Sequence, residues 1–246
     1  IVDAFRPDVV LGVGGYVMAP AIAAARLRGI PYVLHEKDVR PGLATRMFAG
    51  AAAAVCTTLP GTEKRIRAKR VVLTGVPLRE GFVQRTPDAP ARRLLITGGS
   101  QGARNINQTV WAALDELGRR FEEVVHVAGR QGADGVAHHS HVHYRGLTFV
   151  DDMQSLMSTA DLVVSRAGVG TIAEVTAVGL PMVLIPGTFG GGHQEENAAA
   201  MVDAPAAVGI PDLPLPPDPV IDRLDVLPPA PPRTWAQPSA APGPGG

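Results

Sequence analysis

The sequence predicts an α/β protein of two Rossmann-like domains facing a cleft, the first of them incomplete. Three observations carry this. Short β-branched runs alternate with longer Ala/Leu-rich stretches, the pattern of parallel sheets with helical crossovers. The alternation comes in two series, separated by a polar segment punctuated by Pro87 and Pro90. Gly-rich turns follow strands directly, as they do where a backbone must turn tightly beside a ligand.

In the first series, Val9–Val13 reads as a strand and leads through Gly14-Gly15-Tyr16 into a helix from about Ala19 to Leu27. Pro31-Tyr32-Val33-Leu34 is a second strand ending at His35-Glu36, and a helix follows over Leu43–Phe48. Strands near Ala53–Thr57 and Arg70–Leu73 complete a partial domain over residues 1–80. Residues 81–92 read as a linker. The second domain, 93–204, opens with the strand Arg93–Thr97 and continues with strands at Glu123–Ala128, around Val142–Tyr144, at Asp161–Ser165 and at Met182–Ile185. From 205 to 246 lie more than half of the chain's 23 prolines. Proline lacks the amide proton and blocks helix interiors, so this tail is expected to be polyproline-like or disordered. The opening at Ile1, almost inside a strand, reads as though N-terminal sequence were missing.

Composition narrows the function. A chain of 246 residues can bury a real core, and with aromatics at 4% that core rests on Ala, Val, Leu and Ile. Lys+Arg and Asp+Glu both number 23, which argues against a general nucleic-acid binder. Cys56 is the single cysteine, so no intrachain disulfide or cysteine metal cluster can form. No apolar run approaches the ~18 residues of a membrane span.

The strongest local signal is Gly98-Gly99-Ser100-Gln101-Gly102-Ala103, between a strand and a helix. Free amides at a helix start attract anions, so a phosphate-bearing ligand suits this turn. The same residues also spell the G-x-S-x-G nucleophile elbow of α/β-hydrolases. Ser100 would be the nucleophile, with Asp151 or Asp161 and then His193 following in hydrolase order. Dinucleotide binding fits less well, because the motif is not G-x-G-x-x-G and the next strand ends in Ala128-Gly129-Arg130 without an acid. A second strand–turn–helix element favours a nucleotide. In Ser165–Glu174, Gly168, Gly170 and Thr171 offer amides and a hydroxyl, and Glu174 lies one helical turn on, within reach of a ribose diol. A third loop, Gly187–Gly192, precedes His193-Gln194, where Gln194 can both donate to and accept from sugar hydroxyls.

In that order, G-G-S-Q-G-A-R-x-x-N, F-V-D-D-M, R-A-G-x-x-T-x-x-E, G-L-P and H-Q-x-x-N-A resemble the C-terminal domain of the MurG family. Gly14-Gly15-Tyr16, Leu34-His35-Glu36 and Gly75-x-Pro77-x-Arg79 resemble its acceptor domain. The likeness covers roughly residues 1–200. It implies a GT-B fold and inverting transfer of N-acetylglucosamine from UDP-GlcNAc to the undecaprenyl-linked muramoyl-pentapeptide of peptidoglycan synthesis, without a cofactor. It also implies a peripheral place on the cytoplasmic face of the bacterial membrane, where the basic run Lys64–Arg70 would meet an anionic inner-membrane surface.

By the same resemblance, Arg79 and Ser100 hold the donor diphosphate, with Gln101 and Gly102 beside them. Val150 meets the uracil through its backbone, and Val169, Gly170 and Thr171 line the nucleotide. Glu174 takes the ribose and Gln194 the GlcNAc hydroxyls. No metal is implied; Asp151 and Asp152 read equally as a helix cap before Met153. The family's first Gly-rich loop, with the histidine proposed as base, would precede Ile1, which implies impaired turnover. His35 is then the remaining candidate base, although a structural histidine at the strand end is the favoured reading. Asp38 and Val76 stand where the family usually has Asn. Besides the transferase, the hydrolase and a non-catalytic nucleotide-sugar binding fragment remain open.

Overall fold

Val10–Gly12 (β1), Tyr32–Glu36 (β2), Ala54–Thr57 (β3) and Val71–Leu73 (β4) are the aliphatic runs of the first series, and they pair in that order as an all-parallel sheet. The computed structural model describes residues 2–188, 191–203, 207–212 and 222–224, and the chain divides into two units, one running to Pro77 and the other beginning at Leu78. In the first unit a short helix, Val2–Phe5 (α1), precedes β1. Helix α2 (Met18–Leu27) buries Met18, Ile22 and Ala25, spaced to share one helical face, and these cluster with Leu34 of β2 and Val55 of β3. Pro20 falls in the first turn of α2, where no intrahelical amide bond is lost. Helix α3 (Leu43–Phe48) closes the same core, and the Tyr32 hydroxyl donates to the Phe48 carbonyl at 2.8 Å.

The second unit is a six-stranded parallel sheet of Arg93–Thr97 (β5), Glu123–Val127 (β6), Tyr144–Leu147 (β7), Leu162–Ser165 (β8), Met182–Leu184 (β9) and Val208–Gly209 (β10). Its spatial order is β10-β9-β8-β5-β6-β7. This is the permutation of doubly wound dinucleotide-binding folds, in which strand order reverses beside the first strand of the domain. The reversal here falls between β8 and β5. Such a switch point opens a crevice at the carboxyl ends of the strands.

Helices α4 (Arg104–Ala112), α5 (Leu114–Arg120), α6 (Ala133–His138), α7 (Met153–Thr159), α8 (Val169–Val178) and α9 (His193–Asp203) connect these strands. Strands β8 and β9 are buried at every position, as strands covered on both faces must be. Ile106 and Val110 of α4 and Leu117 of α5 pack with Leu94, Ile96, Val124, Leu162 and Val164 of the sheet. Helix α8 ends at Gly179 in the left-handed conformation (φ 83°), whose N–H bonds back to the Val175 and Thr176 carbonyls.

The stretch read as a linker is fastened to the second unit. The Asp161 carboxylate, just before β8, accepts from the backbone N–H of Asp88, Arg92 and Arg93 at 2.9–3.1 Å and pairs with the Arg85 guanidinium at 2.7 Å. Burial raises the Asp161 pKa, but those donors outweigh it and leave the carboxyl below its ordinary value.

Within the segment from 205, expected to be polyproline-like or disordered, Val208–Gly209 pair with Val183–Leu184 at one edge of the sheet. Ile210 and Leu224 are buried in the second unit's core. Residues 206–210 contain no proline, so their amides are free to pair once β9 is beside them. Residues 205, 206, 213–221 and 225–246 of the predicted tail lie outside the described residues, as do Phe189 and Gly190 of the third Gly-rich loop.

Candidate functional site

The switch point sets the site. Thr97, the last residue of β5, pairs with Ser165, the last of β8, and Ser165 pairs with Leu184, the last of β9. Adjacent strands lie ~4.8 Å apart, so the three loops after them start side by side. These are the loops carrying Ser100–Gly102, Gly168–Thr171 and, through the first turn of α9, Gln194. Val150 follows β7 at the same end of the sheet.

The β5–α4 turn is held by close backbone packing. Gly102 has φ 85°, and a Cβ there would stand 2.2 Å from the Ala128 carbonyl oxygen. Gly129 has φ 76°, and its Cβ would meet the Gly102 nitrogen at 2.2 Å. Only glycine fits either place. Ser100 and Gln101 at the tip of the turn are exposed. Ala103 precedes α4 and Gly168 precedes α8 at the N-cap positions, and neither helix receives a side-chain cap. Helix α7, by contrast, is capped by Asp152, whose carboxylate accepts from the Ser155 N–H at 3.0 Å. The two helices flanking the switch point thus keep free N–H groups and the positive ends of their dipoles for an anion. Nothing lies within 4 Å of a Cβ added at Gly168 or Gly170, so a ligand can come up against this backbone.

Val169 contributes only backbone, because its side chain is buried in the core. Glu174 is half-buried; burial raises its pKa, and the Arg79 guanidinium pulls the other way. The predicted ribose carboxylate thus feels the charge of the predicted diphosphate arginine. The Gln194 side-chain oxygen accepts from the Gly187 N–H at 2.9 Å, closing the third loop and leaving its amide NH₂ for another partner.

His35 belongs to the first unit. It is 8% exposed, and its Nε2 lies 2.9 Å from the Gly75 carbonyl and 3.3 Å from Thr58 Oγ1. These contacts fit a structural histidine. The neighbouring Glu36 carboxylate accepts from the Asp38 and Gly42 N–H groups and shapes the loop after β2.

The hydrolase reading, with Asp151 or Asp161 as its acid, finds no support in the structure. Asp161 stands at the amino end of β8, opposite Ser100, with its carboxylate committed to the 85–93 segment. Among the described residues, no hydrogen bond joins Ser100 to a histidine.

Sequence reasoning missed a buried chain behind the Gly102 turn. Trp111 Nε1 donates to the Tyr144 hydroxyl, which lies 3.1 Å from His126 Nδ1. His126 Nε2 lies 3.0 Å from Asn107 Oδ1, and the Asn107 amide donates to the Ala128 carbonyl that Gly102 abuts. Burial pushes the His126 pKa down to about 4, so the ring is neutral. The last position of the G-G-S-Q-G-A-R-x-x-N motif was the one visible sign of this chain.

Comparison with known proteins agrees with this architecture. Residues 93–241 match the glycosyltransferase family 28 C-terminal domain and residues 1–57 the N-terminal domain of the same family. The chain therefore belongs to glycosyltransferase family 28.

Within that class, curated relatives that share one name bear out the resemblance to the MurG family. The UDP-N-acetylglucosamine--N-acetylmuramyl-(pentapeptide) pyrophosphoryl-undecaprenol N-acetylglucosamine transferase of Nocardioides sp. is 40% identical, over 92% of this chain and 66% of that protein. The protein of the same name from Moorella thermoacetica is 38% identical, over 85% of this chain and 62% of the relative. The crystal structure of Acinetobacter baumannii MurG superposes with a TM-score of 0.77 at 28% identity, covering 92% of this chain and 65% of that one. The UDP-GlcNAc 2-epimerase of Neisseria meningitidis, at 15% identity and a TM-score of 0.63, shares the fold alone. The chain spans 61–66% of the length of the first curated relatives it matches. The fold is thus of the GT-B type, with two parallel α/β units.

Proposed function

We propose that this chain binds UDP-GlcNAc in its second unit and takes part in inverting transfer of N-acetylglucosamine to the lipid-linked muramoyl-pentapeptide precursor of peptidoglycan. The observation that carries the reading is the pair of helix starts without side-chain caps, α4 and α8, which follow adjacent strands at the β5/β8 switch point, with Glu174 on α8 under the influence of the Arg79 charge. In this reading the Ser100 and Gln101 N–H groups and those of Val169–Thr171 hold the diphosphate, with Arg79 adding a cation, while the Gly102 N–H closes the turn on the Gly99 carbonyl. Val150 borders the uracil, Glu174 accepts from the ribose hydroxyls, and Gln194 bonds the sugar. An acceptor hydroxyl attacks the anomeric carbon as UDP leaves, and the charge developing on UDP meets preorganised donors. His35 holds the loop after β4 rather than moving a proton.

The name shared by the curated relatives supports the lipid acceptor, and membrane contact follows from it. Lys64, Arg65, Arg67, Lys69 and Arg70 are exposed around the buried Ile66, on a surface suited to anionic headgroups at the inner face of the membrane. Isothermal titration with UDP-GlcNAc, paired with a serine-reactive fluorophosphonate, tests the donor site. Saturable binding without labelling of Ser100 is expected; labelling without binding would sink the reading. Turnover with a lipid acceptor separates a transferase from a fragment that only binds.

A further inference from the structure

Asp212 sits just beyond β10, in the proline-rich stretch where composition gave no hint of function. Its side chain is 5% exposed and its two oxygens point to different loops. Oδ1 accepts from the Asn105 amide at 3.0 Å, and Asn105 is the second residue of α4, directly after the Ser100–Gly102 turn. Oδ2 pairs at 2.7 Å with Nη1 of Arg166, the residue between β8 and the Gly168 helix start. The same Nη1 donates to the carbonyl of Ile185, the first residue after β9. From there the chain runs through Pro186 to Gly187, which binds Gln194. One carboxylate therefore ties together the roots of all three loops at the switch point.

We infer that Asp212 is a positioning residue for the diphosphate-binding turns, acting through Asn105 and Arg166 to fix the starts of α4 and α8 relative to each other. The inference rests on the donor-site reading above. A purely stabilising role explains the arrangement poorly, because a buried ion pair adds little net stability over apolar side chains of equal volume. Geometry is what this pair supplies: two helix starts can share one diphosphate only while their spacing is fixed, and displacements near 1 Å cost on the order of 10²-fold where alignment matters.

Charge and position make opposite predictions for Asp212→Asn. Removing a carboxylate beside an anion site and freeing Arg166 should tighten UDP binding if electrostatics alone matter. If position matters, binding weakens despite the gain in positive charge. The experiment is calorimetric titration of UDP into the 246-residue chain and its variants, each checked by far-UV circular dichroism and thermal midpoint. Asp212→Asn is expected to weaken UDP binding about tenfold or more. Asn105→Ala removes one arm and no charge; it is expected to weaken binding about threefold to tenfold with little change in midpoint, and it decides the matter should Asp212→Asn not fold. Affinities within twofold of the parent in the folded variants, or tighter binding by Asp212→Asn, would overturn the inference while leaving the donor site standing. Failure of the parent chain to bind UDP overturns the donor-site reading itself, and this inference with it.

Discussion

At the scale of single residues, the glycines of the two turns make opposite demands. Gly102 is required by the fold: its φ of 85° and the Ala128 oxygen leave no room for a methyl group. Gly102→Ala should cost about 1–3 kcal/mol of stability and abolish UDP binding, as urea denaturation and titration would show. Gly170, in the first turn of α8, has open space around it. Gly170→Ala should leave stability unchanged or slightly raised, as expected of Ala in a helix, yet weaken UDP binding. Weaker folding with intact binding would contradict that. His126 carries a pH signature. Its folded pKa of about 4 lies below the ordinary 6.5, so the unfolded chain binds a proton that the native state refuses. Its contribution is therefore complete above pH 6.5 and lost as pH falls toward 4, about 3 kcal/mol in all. His126→Gln should flatten the stability difference between pH 7 and pH 4.5; an unchanged slope would show that the ring is not the group responsible.

At the scale of elements, the strands were legible because parallel strands buried on both faces are continuous aliphatic runs. Arg93–Thr97 and the cores of β2, β3, β8 and β9 stand where the β-branched residues put them. The α7 cap at Asp152 was legible for the same local reason. What stayed hidden depends on distant partners. Nothing near Val208 signals pairing with β9, and nothing near Asp88 or Arg92 signals that their amides converge on a carboxylate some seventy residues away. The ligand-facing motifs showed in the sequence because they are contiguous. Asp212 and the His126–Asn107 chain did not, because their residues meet only after folding. The Asp161 hub gives a prediction at this scale. Asp161→Ala removes the only carboxylate partner, among the described residues, of the largely buried Arg85 guanidinium, which keeps the Ala160 carbonyl, and leaves three amides without their acceptor; it should cost about 3–5 kcal/mol. It should also expose the 85–93 segment to proteolysis while the β5/β8 site still binds UDP once the protein is folded. Loss of stability below 1 kcal/mol would mean the segment is held by other contacts.

At the scale of the whole molecule, the carboxyl edge of the second sheet is proposed to act as a single ligand surface. In that proposal strand order creates the crevice, the helix starts without side-chain caps supply the anion-binding field, and the buried polar networks fix the loops. Hydrogen–deuterium exchange of the chain with and without UDP-GlcNAc tests that claim most directly. Added ligand should protect amides in 98–106, 166–174 and 193–197 together and leave the Asp161 end of the sheet unchanged. Protection of only one of these segments, or of residues at the amino ends of the strands, would contradict it.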